Sequence, residues 1–223
     1  MKQTVILPVI ISFAISALLG PVIIPFLRRL KVGQTVRDEG PKEHLKKNGT
    51  PTMGGILIMI AVVITSLLYV RDFPKIIPIL FLTLGFGLIG FVDDYIKVVL
   101  RRSMGLRAWQ KMLGQFVVTG IFTYYVINYT DVSLAMKIPF WADHYLDFGI
   151  FNIPVLFFIV IGTVNGTNFT DGLDGLASSV TVIVATFFTV VAIGVGSGIE
   201  PITCAVVGAL LGFLLFNVYP ASV

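Results

Sequence analysis

The stretch "FGIFNIPVLFFIVIGTVNGTNFTDGLDG", Phe148 to Gly175, joins 23 uncharged residues to two aspartates and two further glycines. The uncharged part, Phe148–Thr170, falls within the roughly 17 to 25 residues that a helix needs to cross the hydrocarbon of a bilayer. The polar part is the puzzle. An acidic side chain inside hydrocarbon costs roughly 2.5 to 3.5 kcal/mol even on lenient insertion scales. Asp171 and Asp174 therefore lie at the edge of the membrane, or they have a task that offsets the cost.

The same pattern extends through the chain. Of its 223 residues, 56% are hydrophobic and 13% are charged, which is a membrane-protein composition. Cutting at the charges gives the uncharged runs Gln3–Leu27, Thr50–Val70, Ile76–Val92, Met112–Thr130, Phe148–Thr170, Gly175–Ile199 and Pro201–Val223. The expected fold is an all-α polytopic membrane bundle of about seven spanning helices, with residues 1–223 forming a single membrane domain. The first run is too long for a secretory signal and lacks an A-x-A cleavage site, so it is expected to remain as an anchor.

Seven crossings sort the 16 Lys and Arg residues 12 to 4 between the two sides. The basic side faces the cytoplasm by the positive-inside rule, which puts the amino terminus outside. The net charge of +4 is mostly this orientation signal and does not require nucleic acid. Cys204 is the only cysteine, so no internal disulfide forms. His44 and His144 fall on opposite sides and no Cys/His cluster exists, which argues against zinc. There is no P-loop and no G-x-S-x-G elbow.

This topology collects the unusual polar clusters at cytoplasmic helix ends. In "KKNGTPTMGG", Lys46–Gly55, Thr50 is placed to cap the second helix with Pro51 at its first position. In "FVDDYIK", Phe91–Lys97, Asp93 and Lys97 are four apart and share a helix face. Two adjacent carboxylates at a helix C-terminus oppose both each other and the macrodipole. Asn165, Asn168, Asp171 and Asp174 recur every three residues and line up roughly on a helix or a tight turn. Asn217 near a helix end carries little weight alone, since a lone Asn there commonly makes a helix–helix hydrogen bond. Oxygen-rich side chains beside lysines suit a magnesium–phosphate site, because magnesium takes hard oxygen ligands and lysine binds phosphate as a point charge. Chemistry alone thus points to a cytoplasmic-face membrane enzyme acting on a phosphorylated substrate.

"KKNGTPTMGG", "DDYIK" and "NFTDGLDGLA", in this order and at these helix ends, resemble the phospho-N-acetylmuramoyl-pentapeptide transferases, a branch of the polyprenyl-phosphate N-acetylhexosamine-1-phosphate transferases. "GTPTMGG" is the mark of that branch; the other two motifs are shared across the superfamily. The resemblance implies transfer of phospho-N-acetylmuramoyl-pentapeptide from its UDP derivative to undecaprenyl phosphate, giving lipid I and UMP with Mg2+. It also implies a multi-pass protein of the bacterial inner membrane with a cytoplasmic active site, open to nucleoside inhibitors such as tunicamycin and to homodimer formation.

The roles it implies are specific. Asp93 matches the base or nucleophile that acts on the lipid phosphate. Asp94 matches its essential neighbour and Lys97 the lysine of the motif, while Asp174 completes the catalytic group. Lys47 and Thr52 match positions lining the substrate cleft, and Asn165, Asp171, Asn217 and Lys111 are grouped with them. Asn168 matches a metal-binding position. The family pattern continues beyond "YPASV" to an M-G-D-x-G-S motif with a metal-ligating Asp, so the chain is expected to be a piece of a longer transferase, inactive by itself. Two rival readings remain: transfer of N-acetylglucosamine-1-phosphate to a polyprenyl phosphate, and a non-catalytic membrane module that retains the motifs.

Overall fold

The structure is a computed structural model that describes residues 2–29, 51–100, 104–138, 141 and 144–223. Its α-helices are α1 (Lys2–Arg29), α2 (Gly55–Tyr69), α3 (Ile76–Val98), α4 (Ala108–Tyr129), α5 (Asn152–Thr170), α6 (Leu176–Val195) and α7 (Glu200–Asn217). Between α4 and α5, strands β1 (Met136–Lys137) and β2 (Tyr145–Leu146) pair antiparallel, and a 3-10 turn, Gly149–Phe151, leads into α5. Each expected run is represented by one helix. Five of the seven, α1, α3, α5 with its 3-10 turn, α6 and α7, are long and apolar enough to cross a membrane. At 15 residues α2 rises only about 22 Å, short of the roughly 30 Å hydrocarbon. Gln110, Lys111, Gln115 and Asn128 make α4 more polar than the other long helices.

The bundle is organised around α7. Half of its apolar window is buried, against 11–22% for the other four spans. Most large side chains on α6 point outward, Ile183, Phe187 and Val190 among them, as lipid-facing residues do. The closest pairing is α1 with α7. Lipid is as apolar as leucine, so helices in a bilayer associate through tight packing of small residues. Gly208 and Gly212 form a G-x-x-x-G step on α7 that receives Ser12 and Ser16 of α1. A Cβ at Gly208 would overlap Ser12 Oγ and the Val9 carbonyl oxygen; one at Gly212 would lie 2.7 Å from the Phe13 carbonyl oxygen. Gly20 receives Phe216 in the same row. The Ser12 hydroxyl donates to the Pro8 carbonyl at 2.7 Å and so satisfies itself within α1.

Two apolar clusters complete the core. Ala61, Val62, Ile76, Leu80, Ile202 and Ala209 join α2, α3 and α7. Ile24, Leu27, Leu57, Phe213 and Val223 close the other end of the bundle.

The start of α2 differs from expectation. Thr50 lies outside the described residues, and the helix begins at Gly55, not Pro51, with Gly54 as its N-cap. Met53 takes φ +70°, which interrupts any helix running from Pro51. Pro51–Gly54 is consequently a turn, and that turn becomes part of a cavity wall.

Candidate active site

The α5–α6 junction builds the first wall of the site. Helix α5 ends at Thr170, and Asp171 leaves helical geometry at φ −75°, ψ 60°. Helix α6 begins after Gly175, whose φ of +73° favours glycine. Asp171 to Gly175 is therefore a loop, and the three-residue spacing does not place its aspartates on one helix face with Asn165. Asn165 turns instead to α4. Its Nδ2 donates to Gln115 Oε1 at 2.9 Å, and Gln115 Nε2 donates back to Asn165 Oδ1 at 3.4 Å.

The loop is tied to the end of α7. The Gly175 N–H donates to Asn217 Oδ1 at 3.0 Å, and Asn217 Nδ2 donates to the Val223 carbonyl at 2.7 Å. The Ala221 N–H donates to Asp174 Oδ2 at 3.2 Å. Asn217 thus positions the loop, where sequence alone assigned it little.

These elements enclose a cavity of about 640 Å³. Thr52 from the α2 entry turn, Asp94 from α3, Asn168 from α5, Asp171 and Asp174 from the loop and Asn217 from α7 all line it. Six of the eleven expected site residues are therefore brought together. The Thr52 Oγ1 is buried and has no hydrogen-bond partner among the described residues. A buried hydroxyl of this kind calls for a ligand or water. A second, apolar cavity of about 480 Å³ runs between α2 and α3, lined by residues that include Met59, Leu84, Leu88 and Phe91. It shares Met53, Gly55, Ile58 and Asp94 with the polar one.

Of the other expected residues, Asp93, Lys97, Lys111 and Asn165 do not line this cavity. Asp93 is 8% exposed. Its Oδ2 meets Lys97 Nζ at 2.6 Å, and its Oδ1 accepts the Leu106 N–H at 2.7 Å. Lys97 also lies 3.7 Å from Asp94 Oδ1, so one ammonium offsets the repulsion between two adjacent carboxylates. Lys111 Nζ donates to Asn168 Oδ1 at 3.3 Å, which orients a cavity residue from outside. Lys47 lies outside the described residues. Gln115, Gly105 and Leu106 were not foreseen. An amide inside the apolar run Met112–Thr130 was the available signal for Gln115, since a buried amide needs a partner.

Among the described residues no three His, Cys, Asp or Glu side chains converge as a metal cage. The polar side chains on the wall offer oxygens from three carboxylates, two amides and three hydroxyls. That set fits magnesium, which is commonly bound through one or two carboxylates and completes its shell with other oxygens, phosphates and water.

Residues 76–223 match the glycosyl transferase family 4 profile, and residues 47–59 match phospho-N-acetylmuramoyl-pentapeptide-transferase signature 1. The helical bundle with its polar cavity is thus a polytopic membrane transferase. The phospho-N-acetylmuramoyl-pentapeptide-transferase of Bacillus subtilis (strain 168) is 43% identical over 100% of this chain and 70% of its own length. Those of Geobacillus sp. (strain WCH70) and Clostridioides difficile (strain 630) are 45% and 46% identical, over 100% and 96% of this chain and 70% and 67% of their own lengths. The chain belongs to the phospho-N-acetylmuramoyl-pentapeptide-transferase family.

Proposed function

We propose that the protein transfers phospho-N-acetylmuramoyl-pentapeptide from UDP-N-acetylmuramoyl-pentapeptide to undecaprenyl phosphate, releasing UMP, at the cytoplasmic face of the bacterial inner membrane. The observation that carries this reading is the junction of two unlike cavities at Asp94. A nucleotide-linked donor needs a polar site at the aqueous edge, and a polyprenyl acceptor needs an apolar groove that ends beside it. The polar cavity and the α2–α3 groove meet that pair of demands and share one carboxylate. The excess of Lys and Arg on one side supports the cytoplasmic orientation.

In the reaction an oxygen of the acceptor phosphate forms a bond to the sugar-linked phosphorus of the donor. The bond from that phosphorus to the bridging oxygen breaks, and UMP departs with the bridging oxygen. Asp94 faces both cavities and takes the proton from the acceptor phosphate. Lys97, bridging Asp93 and Asp94, offers positive charge to the acceptor phosphate from behind the carboxylate pair. Thr52, Asn168 and Asn217 orient the donor by hydrogen bonds. Magnesium, held by Asp171, Asp174 and Asn168 together with substrate oxygens, would supply charge neutralisation at the pyrophosphate.

The test is release of UMP by the full-length protein in detergent, with undecaprenyl phosphate and the UDP-muramoyl donor. Turnover with that donor and little with UDP-N-acetylglucosamine is expected. Preference for UDP-N-acetylglucosamine would assign the protein to the rival branch, and no turnover with either would favour the non-catalytic module.

A further inference from the structure

We propose that the turn at residues 104–107, which leads into α4, is a positioning device for the reaction, in which Gly105 and the Leu106 amide hold the Asp93 carboxylate and, through Lys97, set the place of Asp94 on the cavity wall. The proposal rests on the transferase reading above and adds a residue, Gly105, and a backbone group to it.

Asp93 sits in the penultimate turn of α3, where the helix dipole and its neighbour Asp94 both disfavour a second negative charge. Two donors answer this, one per oxygen: Lys97 Nζ on Oδ2 and the Leu106 N–H on Oδ1. Donors on both oxygens fix the plane of the carboxylate as well as its position. The Leu106 bond depends on a close approach. A Cβ on Gly105 would collide with Asp93 Oδ1, lie 2.7 Å from the Asp93 carbonyl oxygen and 2.8 Å from Lys97 Cε. No other residue allows the turn to sit this near the end of α3.

The far side of the turn is fixed too. Arg107 caps α4, with its N–H donating to Gln110 Oε1 at 2.9 Å, so the turn passes directly into helix. One turn further along, Lys111 reaches Asn168 on the cavity wall. Displacing Gly105 therefore releases the Asp93–Lys97 pair from one side and shifts the start of α4 from the other.

The experiment uses the full-length protein in detergent micelles and three readouts. Gly105→Ala should lower kcat about 10²-fold, the scale expected when a reacting group is misplaced by about 1 Å, with a KM for the nucleotide donor near normal. An amide-to-ester replacement at Leu106, made with the α-hydroxy acid, deletes the N–H without adding an atom at Gly105 and should lower kcat in the same direction. Placed on Asp93→Ala, the Leu106 ester should cost little more, because the carboxylate that accepts the N–H is then absent. The Leu106 amide should exchange slowly with deuterium in the natural protein and quickly in Asp93→Ala. Natural kcat in the ester variant, fully additive losses in the double variant, or Leu106 exchange indifferent to Asp93→Ala would each overturn the proposal. If Gly105→Ala does not fold, the ester variant decides. If the natural protein releases no UMP, the transferase reading fails and the exchange measurement alone judges the clamp.

Discussion

Gln115 of α4 and Asn165 of α5 face each other as a reciprocal amide pair, with Nδ2 to Oε1 at 2.9 Å and Nε2 to Oδ1 at 3.4 Å. Gln115 is 1% exposed, and Asn165 Nδ2 also donates to the Ile161 carbonyl at 2.8 Å. Replacing either partner alone by leucine strands an amide in an apolar setting. We expect each single variant to lose about 1–2 kcal/mol, near the upper range for interhelical polar contacts in membranes. The double Leu variant should recover part of that loss, because no polar group is then left unpaired. Unfolding in mixed micelles, read by helicity, checks this; a double variant at the sum of the singles would remove the pairing from the account.

The α1–α7 row makes a second expectation. Gly208→Val should destabilise the fold by about 1–3 kcal/mol or more, the range for overpacking, since the Val9 carbonyl oxygen is backbone and has nowhere to go. Gly194→Ala is the control. No atom lies within 4 Å of its added Cβ, and alanine is the better helix former. Melting of the two variants in the same detergent should differ in sign.

Much of the fold was legible because charge interrupts hydrocarbon spans so sharply. The run starting at Ile76 begins where α3 begins, and α7 starts one residue before the run at Pro201. The site was legible in part. The run Phe148–Thr170 ends where α5 ends, and Asn168, Asp171 and Asp174 do share a wall, but the regular spacing groups Asn165 with them although its side chain pairs with Gln115. Pro51 looked like a first helical residue, and the positive φ at Met53 is not visible in a sequence. The Asp93–Leu106 bond spans 13 residues and uses a backbone donor, which no side-chain motif encodes.

Topology yields a third prediction. Arg107 and Asn168 stand near the cavity end of the bundle, while Lys75 and Asp147 flank the opposite ends of α3 and α5. With Cys204→Ser as background, single cysteines at 75 and 147 should react with an impermeant maleimide in intact cells, and one at 107 should react only after lysis. The reverse pattern would invert the orientation and move the cavity away from the cytoplasm.

Metal dependence is the fourth. The wall is rich in oxygen donors and carries no His or Cys among the described residues, so thorough chelation should abolish UMP release, magnesium or manganese should restore it, and zinc should not. Full turnover in chelator would refute a metal-assisted reaction.

The last prediction separates the two neighbouring aspartates. Asp94 lines both cavities, has a side chain 43% exposed, and contacts Lys97 only at 3.7 Å. Asp93 lines neither, its side chain is 12% exposed, and both its oxygens are occupied. Asp94→Asn keeps the shape of the wall and removes its basic carboxylate. An exposed ion pair contributes roughly 0–1 kcal/mol, so stability should scarcely change, whereas loss of general-base action should lower kcat about 10²- to 10⁴-fold. Asp93→Asn retains an acceptor for Leu106 but leaves Lys97 without its 2.6 Å partner, so both stability and turnover should fall. Turnover, donor binding and melting measured for both variants, with Lys97→Met beside them, distinguish the roles. Near-normal turnover in folded Asp94→Asn, with donor binding and stability intact in inactive Asp93→Asn, would reverse the assignment and make Asp93 the group that meets the acceptor phosphate.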